Sequence, residues 1–397
     1  TRNISADSIF FALKGANFNG NEFAKDAISK GAKLAVIDEE QYAINSDYIL
    51  VENVLHCLHQ LASFHRSHLN CPVLGITGTN GKTTTKELIN AVLAQKYDVV
   101  CTQGNLNNHI GVPLTVLSAD LKTEFLIVEM GANHQNEIKL LSEIADVNYG
   151  IITNIGKAHL EGFGSVEGVT KTKKELYDYI KKHSGTLFIN KEDKLLQSIS
   201  TTINKVEYLT DEHNDGSPFA SVKCFDIIIT SKLIGSYNCT NIQAAISIGL
   251  YFDVSFEDIK SAIENYTPQN NRSQLESTIK GNSLIIDYYN ANPTSMIKAI
   301  ESFYSIKSAK KLFILGDMLE LGEVSIHEHQ KIIDELSETQ SEAILIGTEF
   351  GKCSHSFPHF TDVYEAQKWI KEKSFKDYFI LLKGSRGIKL EELKDLL

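Results

Sequence analysis

The stretch Leu74-Gly75-Ile76-Thr77-Gly78-Thr79-Asn80-Gly81-Lys82-Thr83-Thr84 decides the reading of this 397-residue chain. An apolar strand runs into a glycine-rich turn, then Lys-Thr, then a segment with helical periodicity. Glycines let backbone N–H groups approach phosphate oxygens, and the start of the following helix adds positive potential. Lys82 suits the β- and γ-phosphates of a nucleotide, and the Thr83 hydroxyl suits Mg²⁺. The spacing is the short GTNGKT form. The commoner GxxxxGK[ST] pattern would need glycine at position 76, where Ile76 stands. The bland alternative, a glycine turn beside a chance lysine, sits poorly with the strand–turn–helix frame.

Working outward, strands and helices alternate from Pro72 to about 265. Pro72 to Thr77, Phe125 to Glu129 and Val147 to Thr153 read as strands. Thr84 to Lys96 reads as an amphipathic helix, and Ser165 to Lys182 as a long polar one. Such alternation predicts a mostly parallel sheet with helices on both faces. Residues 1–70 mix short apolar runs with Gly and Asn turns and read as a small α/β domain. The polar stretch Tyr266 to Gln274 reads as a linker. Beyond it the alternation restarts, with strands expected at Leu284 to Asp287, Leu312 to Leu315, Ala343 to Ile346 and Tyr378 to Leu382. A helix opens at Pro293, a residue that suits a first helical turn. The expected fold class is α/β in three domains: 1–70, 71–267 and 268–397. The first is small, the second a P-loop ATPase, the third Rossmann-like.

Bulk properties exclude several classes. The formal net charge of -11 opposes loose association with DNA or RNA. No stretch of about 18 apolar residues appears, so membrane insertion is not expected. The chain opens on Thr1-Arg2-Asn3, without an initiator Met and without a basic-then-apolar leader. The six cysteines form no CxxC pair, so the reduced cytoplasm is expected.

Three further positions attract notice. Glu129 closes an apolar strand. Alone it reads more often as a solvated strand end than as a metal ligand, but the phosphate loop before it reverses that weighing. His159, in the glycine-rich run 153–164, reads equally as a bland loop histidine and as a ligand. The basic helical segment Lys171-Thr172-Lys173-Lys174-Glu175 reads, on its own, as a solvated face.

These motifs, taken together, resemble the Mur ligase family. GTNGKTT, EMGANH at 129–134, TNIGKAHLEGFGSVEGV at 153–169 and GSYNCTN at 235–241 carry the resemblance. So do DYYNANP at 287–293, LGDMLELG at 315–322 and KGSR at 383–386. The match runs in order across essentially the whole chain. It implies an N-terminal domain for the UDP end of a substrate, a central ATPase, and a C-terminal domain that closes over ATP. Within the family it points to the branch that joins UDP-N-acetylmuramoyl-tripeptide to D-alanyl-D-alanine in peptidoglycan precursor synthesis, acting as a monomer.

The resemblance also implies roles. Gly78, Thr79, Asn80, Gly81, Lys82, Thr83 and Thr84 would hold ATP, joined by Asn238 and Asn241 at adenine and by Arg272 and Asp287. Thr83, Glu129 and His159 would bind two Mg²⁺ ions. Lys173 would bind them too, as a carbamate, which turns a cation into a carboxylate-like group and reverses the bland reading of 171–175. Lys82, Lys173 and His159 would be catalytic. Substrate contacts would come from Lys14, Gly15, Asn17 and Asn21 at the UDP end. Thr102, Asn105, Asn107 and Asn108 would touch the muramoyl-peptide, and Tyr289, Asn290 and Asn292 the side of the incoming amine. In the family a Gly commonly precedes the counterpart of Arg272, where Asn271 stands here. The UDP segment usually has an acidic and a small hydroxyl residue just ahead of an Arg like Arg2, so a further N-terminal piece is expected.

The implied reaction is phosphorylation of the substrate carboxylate to an acyl phosphate, then attack by the amine. Acyl phosphates hydrolyse, so the C-terminal domain is expected to swing onto the central one. Two alternatives remain at this stage. One is a sibling ligase, either of the third residue or a folylpolyglutamate synthetase. The third-residue ligase would show an Asp-Asn-Pro-Arg-like motif where Asn-Ala-Asn-Pro stands here. The other is a non-catalytic nucleotide-binding protein on the same scaffold.

Overall fold

A computed structural model of the protein describes residues 4–397 apart from 159, 309 and 374. Three main sheets follow one another along the chain. The first is small and parallel: Ile9–Phe11, Leu34–Ile37 and Tyr48–Leu50, side by side in that order. A short antiparallel ladder of Lys14–Gly15 and Phe18–Asn19 lies between the first two in sequence.

The helix Val54–Arg66 ties this unit to the next. Asn53 caps it, accepting from His56 N at 2.8 Å. Its Ala62 is packed into the central core. Arg66, 6% exposed, donates Nε to Ala145 O at 2.9 Å and Nη1 to Leu69 O at 2.8 Å. One guanidinium thereby satisfies carbonyls that would otherwise be buried without partners.

The central sheet has six parallel strands in the order Asn204–Tyr208, Thr186–Asn190, Tyr149–Ile152, Val73–Thr77, Phe125–Glu129, Val99–Cys101. The runs VLGIT and FLIVE are buried at every position, as inner parallel strands covered on both faces must be. One face packs on Lys82–Leu93 and Cys239–Tyr251, the other on Glu137–Ala145 and Val166–Lys182. The chain winds from Val73–Thr77 to one side of the sheet and later to the other. This reversal opens a crevice at the C-terminal strand ends, where ligands bind in such sheets.

The alternation expected from 72 to 265 departs from strict order at one place. Phe219–Cys224 and Ile227–Ile234 form an antiparallel hairpin. In Ile227–Ile234 buried and exposed positions largely alternate, the pattern of a sheet with one wet face, where continuous apolar runs mark covered strands. The helix expected from Thr84 is Lys82–Leu93 and begins at the lysine itself, because Gly81 at φ 80° turns the chain directly into it.

The third sheet runs Gln274–Ser277, Ser283–Asp287, Phe379–Lys383, Lys311–Gly316, Glu342–Ile346, His359–Phe360. All pairs are parallel except the first, an antiparallel edge strand that starts on the last residue of the expected linker. Helices Pro293–Ser305 and Ser325–Glu338 cover one face and Val363–Glu372 the other. Pro293 follows the cap Asn292, whose side chain accepts from Ser295 N at 2.9 Å in a capping box. Among the described residues no helix is long and apolar enough to cross a membrane.

Replacing Arg66 by Ala strands buried carbonyls. The expected loss of stability is about 2–3 kcal/mol, read by urea denaturation; an unchanged midpoint would show that Arg66 does not hold the helix Val54–Arg66 to the central unit.

Candidate active site

The phosphate loop cannot satisfy its own backbone and leans on the segment after the neighbouring strand Tyr149–Ile152. Asn154 Oδ1 accepts from Asn80 N at 3.0 Å, and Asn154 Nδ2 donates to Asn80 O at 2.9 Å. Thr153 Oγ1 donates to Asn80 O at 2.6 Å, and Thr79 N to Asn154 O at 2.9 Å. Gly78 stands at φ +145°, where a Cβ would lie 2.0 Å from Thr153 Oγ1. Glycine is required there for both reasons.

Lys82 folds back over this loop, its Nζ 2.7 Å from Gly78 O and 3.2 Å from Thr79 O. Enclosure, opposed by the Glu129 carboxylate and aided by the Arg272 cation, pushes its ammonium down to about 8. Thr83 Oγ1 donates to Glu129 Oε1 at 3.2 Å, and Asn107 Nδ2 donates to the same oxygen at 2.7 Å. Glu129 is 1% exposed, and its Oε2 is buried without a hydrogen-bond partner. A buried, orphaned carboxylate oxygen beside a threonine hydroxyl suits a hard divalent cation such as Mg²⁺. Among the described residues no three His, Cys, Asp or Glu side chains gather into a metal cluster. His159 lies outside the described residues.

Lys173 points inward from the helix Val166–Lys182, capped by Ser165. It is 3% exposed, while Lys171 on the same helix is exposed. Its Nζ stands 5.8 Å from the centre of the Phe163 ring. Burial, then the charge of Lys82, push its ammonium down to about 7. The solvated-face reading of 171–175 holds for Lys171 and fails for Lys173, because Val169, Thr172 and Leu176 turn that side of the helix into the core.

Opposite the phosphate loop stands the loop 287–292 of the third sheet. Asn292 Nδ2 donates to Asn80 Oδ1 at 2.7 Å, joining the two units directly over the phosphate loop. Lys157 Nζ donates to Glu328 Oε1 at 2.7 Å in a second bridge. Although burial works against it, the hydrogen bond and charge of Lys157 hold the Glu328 carboxyl below the ordinary range. The two units enclose a cavity of about 430 Å³.

Thr79 to Thr84, Glu129, Lys173, Asn238, Asn241 and Arg272 line this cavity, as do Asn105, Asn107, Asn108, Asp287, Tyr289, Asn290 and Asn292. Asn238 and Asn241 hold each other at 2.9 Å, and Thr85 Oγ1 donates to Asn241 Oδ1 at 3.1 Å. Asn108 Oδ1 also accepts from Ile110 N at 3.0 Å and Gly111 N at 2.9 Å, just ahead of the helix Gly111–Leu117.

Thr102 is fully buried and does not reach the cavity. Its Oγ1 accepts from Glu129 N at 3.0 Å and so braces the carboxylate from behind. Lys14, Gly15, Asn17 and Asn21 lie in the first unit, away from the cavity. There Lys14 pairs with Asp38 and Glu39, both at 2.9 Å, and the buried Asn21 donates to Asp38 Oδ1 at 2.8 Å.

Sequence reasoning assigned no role to Lys383, which is 2% exposed, lines the cavity, and donates to Asp287 Oδ2 at 2.6 Å. The two are register neighbours at the C-terminal ends of adjacent parallel strands. The signal was present: FILLK and SLIID both end an apolar run on a charge, the feature that drew attention to Glu129. Tyr237 and Ser273, hydrogen-bonded at 2.9 Å in the wall, carried no comparable signal.

Comparison with known proteins follows this geometry. The Mur ligase family catalytic domain matches residues 1–66, the Mur ligase middle domain 76–249, and the Mur ligase glutamate ligase domain 271–386. The UDP-N-acetylmuramoyl-tripeptide–D-alanyl-D-alanine ligase of Bacillus subtilis is 35% identical over 426 positions, spanning 100% of this chain and 92% of that protein. Among solved structures, MurF from Acinetobacter baumannii superposes with a TM-score of 0.87 at 27% identity, covering 100% of this chain and 92% of that one. MurF ligase from Thermotoga maritima in complex with ADP gives a TM-score of 0.87 at 26% identity, covering 100% and 96%.

Gly78→Ala places a Cβ against Thr153 in a backbone region costly for L residues, about 1–3 kcal/mol. The expected result is a ten- to hundredfold weaker ATP affinity by titration calorimetry. Unchanged affinity would mean that the loop does not hold the phosphates.

Proposed function

The chain belongs to the Mur ligase family, and on that premise we infer that it joins D-alanyl-D-alanine to UDP-N-acetylmuramoyl-tripeptide by an amide bond, driven by ATP. The observation that carries this reading is the facing of two half-sites across one cavity. A phosphate loop with its lysine and buried carboxylate lies on one side. A loop of Asp287, Tyr289, Asn290 and Asn292 lies on the other, bonded to the first through Asn80 and Asn292.

The reaction divides accordingly. The terminal carboxylate of the tripeptide attacks the γ-phosphorus of ATP, giving an acyl phosphate and ADP. The amine of the dipeptide then attacks the acyl carbon and gives up a proton; the C–N bond forms, the acyl C–O bond breaks, and inorganic phosphate leaves with one of the original carboxylate oxygens. Lys82 lies where charge develops on the transferring phosphoryl group, and the loop N–H groups orient it. Thr83 and Glu129 would hold Mg²⁺, which supplies charge neutralisation at the phosphates. Asn238 and Asn241, hydrogen-bonded to each other beside the helix that follows the phosphate loop, suit the adenine end. The Asn80–Asn292 and Lys157–Glu328 bridges keep the two halves together and limit water, which would otherwise hydrolyse the acyl phosphate. In this reading the first unit, with Lys14, Gly15, Asn17 and Asn21, takes the UDP end. The reduced cytoplasm, where such precursors are built, is the proposed compartment; all six cysteines are free.

We further propose that Lys173 is carbamylated. A buried amine with its ammonium pushed down to about 7 has a substantial neutral fraction near neutral pH, and the neutral amine is the form that adds CO₂, releasing one proton. The product is an anion, which a site built around phosphates and cations accommodates better than a buried ammonium beside Lys82.

Phosphate release from ATP is expected only when both the nucleotide tripeptide and D-alanyl-D-alanine are present. Turnover with a free diamino acid and the dipeptide precursor would move the protein to a sibling ligase. For the carbamate, Lys173→Ala is expected to lose most activity and to regain part of it with added short carboxylates. Absence of rescue, or full activity in the variant, would each count against the carbamate.

A further inference from the structure

Two guanidinium groups of the third unit converge on one tyrosine. The Cζ of Arg272 lies 4.0 Å from the centre of the Tyr289 ring and that of Arg386 5.8 Å. Among the described residues neither group makes a hydrogen bond or an ion pair, and the Nε of Arg272 is buried without a partner. Two unpaired cations beside one cavity wall are electrostatically incomplete: planar guanidinium groups call for carboxylate or phosphate oxygens.

Arg272 is close enough to Lys82 to depress its ammonium, which places Arg272 at the nucleotide end. Arg386 follows the strand Phe379–Lys383, whose last residue holds Asp287, and so stands on the side of the amine-facing loop. Its backbone is fixed from behind. Ser385 N donates to Asp317 O at 3.1 Å, and Ser385 Oγ accepts from Leu319 N at 2.9 Å. Asp317, 2% exposed, is in turn held by Glu349 N at 2.8 Å and Phe350 N at 3.0 Å. A buried network therefore fixes the turn that carries the exposed Arg386 beside Tyr289.

The incoming dipeptide is a zwitterion whose carboxylate ends about 7 Å from its amine when extended. The amine must reach the acyl carbon inside the cavity. The carboxylate takes no part in the chemistry, yet its charge must be met as the site closes. We propose that Arg386 selects the incoming amine by its C-terminal carboxylate, receiving both oxygens beside the Tyr289 ring. This rests on the ligase reading given above. Lys298, an exposed lysine on the helix Pro293–Ser305, lines the cavity, whereas Arg386 stands just outside that lining beside Tyr289; Lys298 is the competing cation. It offers a single charge on a flexible stem and lacks the fixed turn behind Arg386.

The test compares D-alanyl-D-alanine with D-alanyl-D-alaninamide, in which the carboxylate is masked, in phosphate release by the full chain with ATP, Mg²⁺ and the nucleotide tripeptide. The unaltered protein is expected to prefer the free acid by about 10- to 100-fold in kcat/KM. Arg386→Gln should lose that preference through a raised KM for the free acid. Its KM for ATP and for the tripeptide should stay within about twofold, and Arg386→Lys should retain part of the preference. Thermal melting confirms that both variants fold. Retained preference in Arg386→Gln, transfer of the effect to Lys298→Met, or a raised KM for ATP instead would each overturn the assignment. Absence of dipeptide-dependent turnover in the unaltered protein would overturn the ligase reading itself, a separate and recognisable failure.

Discussion

A loop that offers its backbone N–H groups to phosphate leaves them without partners of its own, and the rest of this structure follows from holding such a loop still. Asn154 and Thr153 do so by binding both backbone polar groups of Asn80 from the next strand over. Those residues can reach the loop only because Tyr149–Ile152 lies beside Val73–Thr77 in the sheet. The strand order is thus a condition of the site. A different order would leave the loop to water, and a mobile loop cannot serve as a preorganised charge clamp.

The same logic sets the charges. In a parallel sheet the C-terminal strand ends all face one edge, so a charged residue closing an apolar run is delivered to that edge. Glu129 in the central sheet, and Asp287 and Lys383 in the third, obey this rule. Asp287 and Lys383 neutralise each other at 2.6 Å. Among the described residues no cation is bonded to Glu129; it is held by the neutral donors Thr83 and Asn107, and one oxygen stays orphaned. A satisfied pair is a structural feature of the wall, whereas an orphaned oxygen at the phosphate end is an invitation to a metal ion.

Burial then separates residues that look alike in sequence. Lys171 and Lys173 are two positions apart on one helix. One stays in solvent and the other is pressed into the core near Lys82, where its ammonium is destabilised. Helical geometry alone permits this, since residues two apart face away from each other. The consequence is chemical: only the buried amine is poised to lose its charge.

The apolar runs, the glycine-rich turn and the strand–helix alternation were legible in the chain itself, because local periodicity and turn chemistry are properties of neighbouring residues. They specified a phosphate loop, three α/β units and most of the strands. Glu129 was legible as a strand-end charge, and Lys383 was equally so. The hairpin at 219–234 was less legible, since a sheet with one wet face alternates and imitates loop composition. Tertiary structure alone decided which distant segments meet: Asn80 with Asn292, Lys157 with Glu328, and Arg386 with Tyr289. It also withdrew Thr102 from the cavity to a post behind Glu129. These outcomes depend on how sheets pack and which faces are buried, and no window of neighbouring residues carries that information.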